Sequence, residues 1–439
     1  MRPRHPDTSA PNSDAPLVIV GNGMAGHRLV EALLKQAAPP RHIVVIGEER
    51  SPAYNRILLS PLLAGEMEAN ALTLRNADWY AEQGVTLMLG ERVEHIHRER
   101  QQLTTSAGHT LGYGQLVLAT GSRPAMPPLP GLDLEGVYAF RDLDDAAALT
   151  KAAAKGGNAV VIGGGLLGLE AAEGLRKRGM GVTLIQRDDR LMNRQLDDTA
   201  AGMLEVELTG RGLGVITNGH IAELADDRQG RVAGVRLEDG TWLPATCVVV
   251  AIGIAPNAEL GRQAGLGVER AIVVDDHLAT SDPAIFALGE CCQFDSNLYG
   301  LVEPIWRQVE VLAAHLCSAV EDEPVAGYVE SPTATKLKIS GVSLYAFGPT
   351  DADEHHDVLV YHDPDQGEYR RLLLRDGRLE GAVLYGDTSM GPWYFAQALA
   401  GRDLTLCRSA LLLGAADADA LLDSSQSPDS TNRPVKEAA

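Results

Sequence analysis

The 439-residue chain is poor in cysteine, in aromatic side chains and in positive charge. Its five cysteines, Cys247, Cys291, Cys292, Cys317 and Cys407, form neither a CxxC nor a CxxxxC pair. That spacing excludes the usual four-cysteine iron–sulfur and zinc sites. Adjacent Cys291 and Cys292 read as two small buried reduced thiols rather than a strained disulfide. Aromatics are 5% of the chain while Gly numbers 46, a balance that favours tight backbone turns. Lys and Arg total 38 against 59 Asp and Glu, for a net charge of −21, which argues against nucleic acid or an anionic membrane as partner. No run approaches the roughly 20 apolar residues that span a bilayer. Residues 1–16 lack the apolar core of an export signal and read as a disordered arm, so the expected location is the cytoplasm.

What is present is a strand–turn–helix pattern that occurs twice. The apolar run Leu17 to Val20 leads into Gly21-Asn22-Gly23-Met24-Ala25-Gly26, a GxGxxG. A helical pattern with Leu29, Val30, Leu33 and Leu34 follows, then a second apolar run from Ile43 to Ile46, then Gly47 and Glu48. This is a βαβ dinucleotide unit: the glycines let a pyrophosphate approach the turn, the helix N-terminus offers free N–H groups, and the acid can accept from a ribose diol. Ala159 to Ile162 leads likewise into Gly163-Gly164-Gly165-Leu166-Leu167-Gly168, a helix from Leu169 to Arg178 and the strand Val182 to Ile185. Two units imply two dinucleotides, most simply a resident flavin and an exchanging nicotinamide. In the second unit Gln186 stands where the acid belongs, followed by Arg187 and Arg190. Those arginines either pair with a 2′-phosphate or are solvated surface charges, so NADH against NADPH stays open.

These residues resemble the flavoproteins with two dinucleotide-binding domains, the pyridine nucleotide–flavin oxidoreductases. Leu116 to Pro124, with Ala119-Thr120-Gly121, is similar to the segment returning the chain between the domains. Val249 to Asn257, with Gly253, is similar to its partner, and Thr280 to Glu290 to the second flavin motif. The resemblance implies that Glu290, after Gly289, holds the flavin ribityl chain, although the motif usually ends in Asp. Within that group the likeness narrows to the FAD-binding front section of assimilatory nitrite reductases and the electron-transfer subunits of nitrate reductases. The segments that carry it are Gly21 to Arg28, Tyr54-Asn55-Arg56, Gly163 to Ala172, Leu191 to Asp197 and Thr335 to Val342. It implies Arg56 near the flavin pyrophosphate. Glu170, at the start of the helix after the second fingerprint, reads either as the acid that orients the nicotinamide carboxamide or as one that favours the helix dipole. A flavin-contacting lysine does not carry over, because Pro61 follows Ser60.

The expected fold is α/β, with two Rossmann-like FAD- and NAD(P)-binding domains and a C-terminal α+β domain. The FAD domain takes residues 17–145 and 246–318, and the NAD(P)H domain 146–245. Residues 319–415 form an α+β interface region covering the flavin's side and supplying part of an interface, and 416–439 a mostly disordered tail. The helix around Ile305 to His315 is expected to aim its N-terminus at the flavin. His355-His356, among Asp351, Asp353 and Glu354, reads as a solvated acidic loop, and no metal is expected. The expected function is electron transfer from NAD(P)H through FAD to a separate nitrite or nitrate reductase subunit or a small iron–sulfur carrier. Alternatives are a ferredoxin or rubredoxin reductase and, from another class, a nicotinamide-binding sensor or scaffold with little turnover.

Overall fold

The structure, a computed structural model, describes residues 15–318, 325–339 and 341–424. Both glycine fingerprints sit in parallel sheets. The first sheet has the strand order Ile285–Ala287, Gln115–Leu118, Leu17–Val20, Ile43–Gly47, Val85–Leu89. The second has the order Gly214–Ile216, Gly181–Ile185, Asn158–Ile162, Cys247–Val250, Val137–Tyr138. Leu17–Val20 and Cys247–Val250 are apolar at every position and buried throughout, as strands covered on both faces must be. The helices Met24–Leu33 and Leu166–Lys177 supply part of that cover, each burying at least six residues.

The topology sets the position of the site. Leu17–Val20 lies between Ile43–Gly47 and Gln115–Leu118, and Asn158–Ile162 between Gly181–Ile185 and Cys247–Val250. The chain leaves each fingerprint strand toward one side and returns on the other, which opens a crevice at the strands' carboxyl ends. Ala119-Thr120-Gly121 and Ile252-Gly253 follow the returning strands into those crevices. Directly beyond them, Ser122–Pro124 and Ile254–Pro256 pair antiparallel. The Thr120 hydroxyl donates to the Asn257 carbonyl at 2.8 Å, and the Asn257 amide donates back to the Thr120 carbonyl at 2.9 Å.

The C-terminal region is an antiparallel sheet, in the order Thr335–Ile339, Val342–Phe347, Arg378–Tyr385, Glu368–Arg375, Asp357–Asp363, with the helix Gly391–Ala400 against it. Asp376 and Gly377, at φ +50° and +75°, make the tight hairpin that Arg375 to Arg378 predicts. The sheet reaches the crevice with Lys336, beside Ala334, and its Leu344, Ala346, Val383 and Tyr385 pack in one core with Ala200, Leu204 and Leu208 of the helix Asp198–Gly210. It therefore also buttresses the second fingerprint unit. One expectation is corrected here. The expected disordered tail begins with the helix Ala415–Ser424, whose Ala418 and Leu422 are buried with Tyr394, Leu404 and Leu411. The arm at 1–14 and the tail from 425 lie outside the described residues.

Candidate functional site

The two glycine turns have the same geometry. A Cβ on Gly21 would stand 2.1 Å from the Ala119 carbonyl oxygen, and one on Gly163 2.3 Å from that of Ala251. A Cβ on Gly26 would stand 2.0 Å from the Gly21 oxygen, and one on Gly168 1.8 Å from the Gly163 oxygen. These four glycines serve strand–helix packing. The middle glycines differ. Gly23 and Gly165 lie in extended backbone as N-caps of the two helices, and a Cβ on either would meet nothing within 4 Å. Neither makes a side-chain cap, so the first-turn N–H groups remain available to an anion.

Both cradles open into one continuous cavity of about 2160 Å³, beyond the ~300–1,000 Å³ of a pocket for one small ligand. Gly21, Gly23, Met24, Ala25, Glu48, Arg56, Ala119, Thr120, Gly121 and Glu290 line it from the first unit. Gly163, Gly165, Leu166, Leu167, Glu170, Gln186, Arg187 and Gly253 line it from the second. Gly26, Gly168 and Gly289 lie behind the wall, where the Gly289 N–H donates to the buried Gln308 at 2.9 Å. The helix Val302–Cys317 starts earlier than expected and brings Val302, Glu303 and Ile305 to the lining.

The polar groups are ordered by partners far away in the chain. Glu48 is exposed, with Arg92 as its nearest cation at 3.8 Å. Arg56 is ion-paired with Glu49, which also accepts from the Tyr54 hydroxyl at 2.8 Å, and it donates to the Arg141 carbonyl at 3.2 Å. Glu290 accepts from the Ser122 hydroxyl at 2.7 Å and is paired with Arg141, whose buried Nε has no partner. Glu170 accepts from the Ser60 hydroxyl at 2.6 Å, and burial pushes its carboxyl pKa up. Sequence reading missed Arg141, Ser122, Glu49 and Asp188, which carry no local motif.

The residues after the strand Gly181–Ile185 depart from expectation. Gln186 is buried, its carbonyl accepting from the Gly164 N–H at 2.9 Å and its amide donating to Asp188 at 3.1 Å. Asn193 also donates to Asp188, at 2.8 Å. The carboxylate here therefore belongs to Asp188, two residues beyond the usual position. Arg187 lines the cavity with its side chain 78% exposed. Arg190 does not line it: its guanidinium is bound to Asp351 through two contacts of 3.0–3.1 Å and to Asp198 at 3.1 Å.

The remaining polar candidates resolve simply. Cys291 and Cys292 are fully buried, each thiol within 3.3 Å of a backbone carbonyl, and burial raises both pKa values, so they are thiols rather than thiolates. His356 sits 2.9 Å from both Asp353 and Glu380, with Arg375 filling the cationic place a metal would take.

A model of the pyridine nucleotide-disulphide oxidoreductases matches residues 15–312, and one of the rubredoxin NAD+ reductase C-terminal domain matches 333–397. The chain is 42% identical over 380 residues to a nitrite reductase [NAD(P)H] of Bacillus subtilis, covering 87% of this chain and 46% of that protein. It is 39% identical over 396 residues to the assimilatory nitrate reductase electron transfer subunit of the same organism, covering 90% and 51%. It thus spans about half the length of these relatives. A chain of the covalent putidaredoxin reductase–putidaredoxin complex superposes with a TM-score of 0.81 at 28% identity, covering 95% of this chain and all of that one. With two matching cradles on one cavity and a family match over most of its length, the chain belongs to the pyridine nucleotide-disulphide oxidoreductase family.

Proposed function

We propose that the chain holds FAD on the Gly21–Gly26 cradle, binds NADH or NADPH on the Gly163–Gly168 cradle and passes electrons to a separate redox protein. Its place is the electron-transfer component of assimilatory nitrite or nitrate reduction in the cytoplasm. One observation carries the reading: a single cavity joins both cradles, and no cysteine lines it. The open space at Gly23 and Gly165 and the unpartnered Arg141 Nε fit two dinucleotide pyrophosphates and their sugars. Among the described residues no helix is long and apolar enough to cross a membrane.

FAD, when bound, takes two electrons from a reduced nicotinamide and can release them singly. The protein's part is placement. The helix starts at Met24 and Leu166 would hold the two pyrophosphates, and Glu48 a ribose diol. Glu290, oriented by Ser122 and Arg141, would hold the ribityl hydroxyls. Glu170, fixed by Ser60, would orient the nicotinamide carboxamide. The FAD domain is assigned residues 17–145 and 246–318, and the NAD(P)H domain 146–245. The third region starts at 319 and extends through the helix Ala415–Ser424.

The test is anaerobic mixing of the purified protein with NADH and NADPH. Bleaching of bound flavin, followed by reoxidation that needs a partner protein or a one-electron dye, supports the reading; a protein that binds the nucleotide but does not bleach is a sensor or scaffold. A second acceptor, a ferredoxin or rubredoxin, is favoured by the match over 333–397. The rate of reoxidation by each purified partner decides between them.

A further inference from the structure

Behind the first glycine turn lies a buried polar chain of three residues that no dinucleotide motif requires. Tyr80, fully buried on the helix Ala77–Glu82, donates its hydroxyl proton to Asn22 Oδ1 at 3.0 Å. The same hydroxyl lies 2.7 Å from Nδ1 of His27, which is 3% exposed on the helix Met24–Leu33. With the Tyr80 proton directed at Asn22, the contact to His27 is made by an Nδ1–H donor. Burial lowers the His27 pKa against the pull of Glu31, 3.6 Å from Nε2, while Arg75 and Arg28 lower it further. The Trp79 ring stands edge-on to His27 at 5.6 Å and closes the site from outside.

The chain of donors ends at a side chain with one free function. With its oxygen engaged by Tyr80, the Asn22 amide turns its nitrogen away from that hydroxyl. Its Nδ2 is buried and has no partner. Asn22 lines the cofactor cavity, and its Cβ is 2.9 Å from where a Cβ on Gly47 would stand, directly before Glu48. A buried donor without an acceptor is disfavoured by its lost hydration, and a ligand oxygen would relieve it.

We propose that the Asn22 amide N–H donates to an oxygen of the adenosine half of bound FAD, and that Tyr80 and His27 are positioning residues locking the amide in that orientation. The inference rests on the FAD reading above. Tyr80, 58 positions from Asn22 in sequence and itself met by His27, thereby prepares the donor before the cofactor arrives.

The experiment uses the full chain stripped of flavin. Asn22→Ala, Asn22→Asp, Tyr80→Phe and the Asn22→Ala/Tyr80→Phe double variant are titrated with FAD and with ADP, and their flavin-free melting temperatures are measured. Asn22→Asp keeps an acceptor for Tyr80 while replacing the donor. Its carboxylate, brought into a buried site, is expected to lower the melting temperature and to weaken FAD at least about tenfold, so Asn22→Ala isolates the lost donor. Asn22→Ala is expected to lose a similar factor for FAD and for ADP. Tyr80→Phe is expected to lose a smaller factor, and the double variant to be no weaker than Asn22→Ala alone, because Tyr80 acts through Asn22. Unchanged FAD affinity in both Asn22 variants, or factors that multiply in the double variant, would overturn the inference. A parent chain that takes up no FAD sinks the reading beneath it instead, so the two failures are distinct.

Discussion

Replacing Gly23 and Gly26 separately by alanine separates what the fold needs from what the ligand needs. Gly23 has φ −82° and ψ −169°, a conformation open to any residue, and a Cβ there touches nothing within 4 Å. Alanine is a poorer N-cap than glycine by about 0.5–1 kcal/mol. Its stiffer unfolded chain returns about 0.4–1 kcal/mol. The flavin-free stability of Gly23→Ala should therefore stay within about 0.5 kcal/mol of the parent. The added methyl instead occupies the approach of the pyrophosphate, and FAD affinity should fall at least about a hundredfold, or about 2.8 kcal/mol. Gly26→Ala behaves in the opposite sense. Its Cβ would lie 2.0 Å from the Gly21 oxygen, and Gly21 is pinned by its 2.8 Å bond to Ile46. Overpacking of this kind costs about 1–3 kcal/mol or more, so that variant should lose stability with or without cofactor. Urea melts of the flavin-free proteins and FAD titrations of the refolded ones read both quantities. Parent-like FAD affinity in Gly23→Ala would refute the claim that the open space at Gly23 is a pyrophosphate site.

Three further outcomes follow from the site. Both NADH and NADPH should reduce the flavin, within roughly tenfold of each other or about 1.4 kcal/mol; Asp188→Asn should raise kcat/KM for NADPH relative to NADH, and an unchanged ratio would remove Asp188 from the ribose end. Glu170 has a raised pKa, so the folded state binds more protons than the unfolded one between the ordinary carboxylate range and that raised value; its contribution to stability falls as pH rises through this window, and Glu170→Gln should flatten that part of the stability–pH curve. The isolated chain should reduce one-electron dyes briskly and nitrite or nitrate hardly at all, with turnover appearing when a reductase partner is added and slowing as salt rises if a basic patch meets the net charge of −21; ammonia formed from nitrite by the chain alone would refute the acceptor reading.

How much of this was readable in advance depended on distance along the chain. Strand, glycine turn, helix and second strand lie within one short segment at 17–47 and again at 158–185, so periodicity and turn chemistry report them directly. The hairpin at Asp376-Gly377 was legible for the same reason. Glu290 and Arg141 are 149 positions apart, Glu170 and Ser60 110, and no local pattern announces either pair. The small antiparallel sheets, such as Val93–His97 with Gln102–Thr105 and Thr110–Gly112, consist of strands too short for alternation to stand out. The helix Ala415–Ser424 was hidden by composition: acidic residues and a Ser-rich continuation suggest disorder, although its alanines and leucines are strong helix formers and bury Leu422.

The arginines after Gln186 show how tertiary partners reassign a motif. Read alone, Arg187 and Arg190 follow a missing acid and invite a 2′-phosphate. In the fold, Arg190 is tied to Asp351, just beyond the strand Val342–Phe347, and in the same neighbourhood Tyr369 donates to buried Asp197 at 2.6 Å with Arg371 at 3.4 Å. Asp197 is the N-cap residue of the helix Asp198–Gly210, so the C-terminal sheet grips both ends of the segment 190–197. That segment also carries Asn193, which holds Asp188 against Gln186. The C-terminal region therefore fixes both ends of the segment whose Asn193 donates to Asp188 at the second cradle. A region expected to cover the flavin's side and supply part of an interface thus also holds the segment that positions Asp188 on the cavity wall.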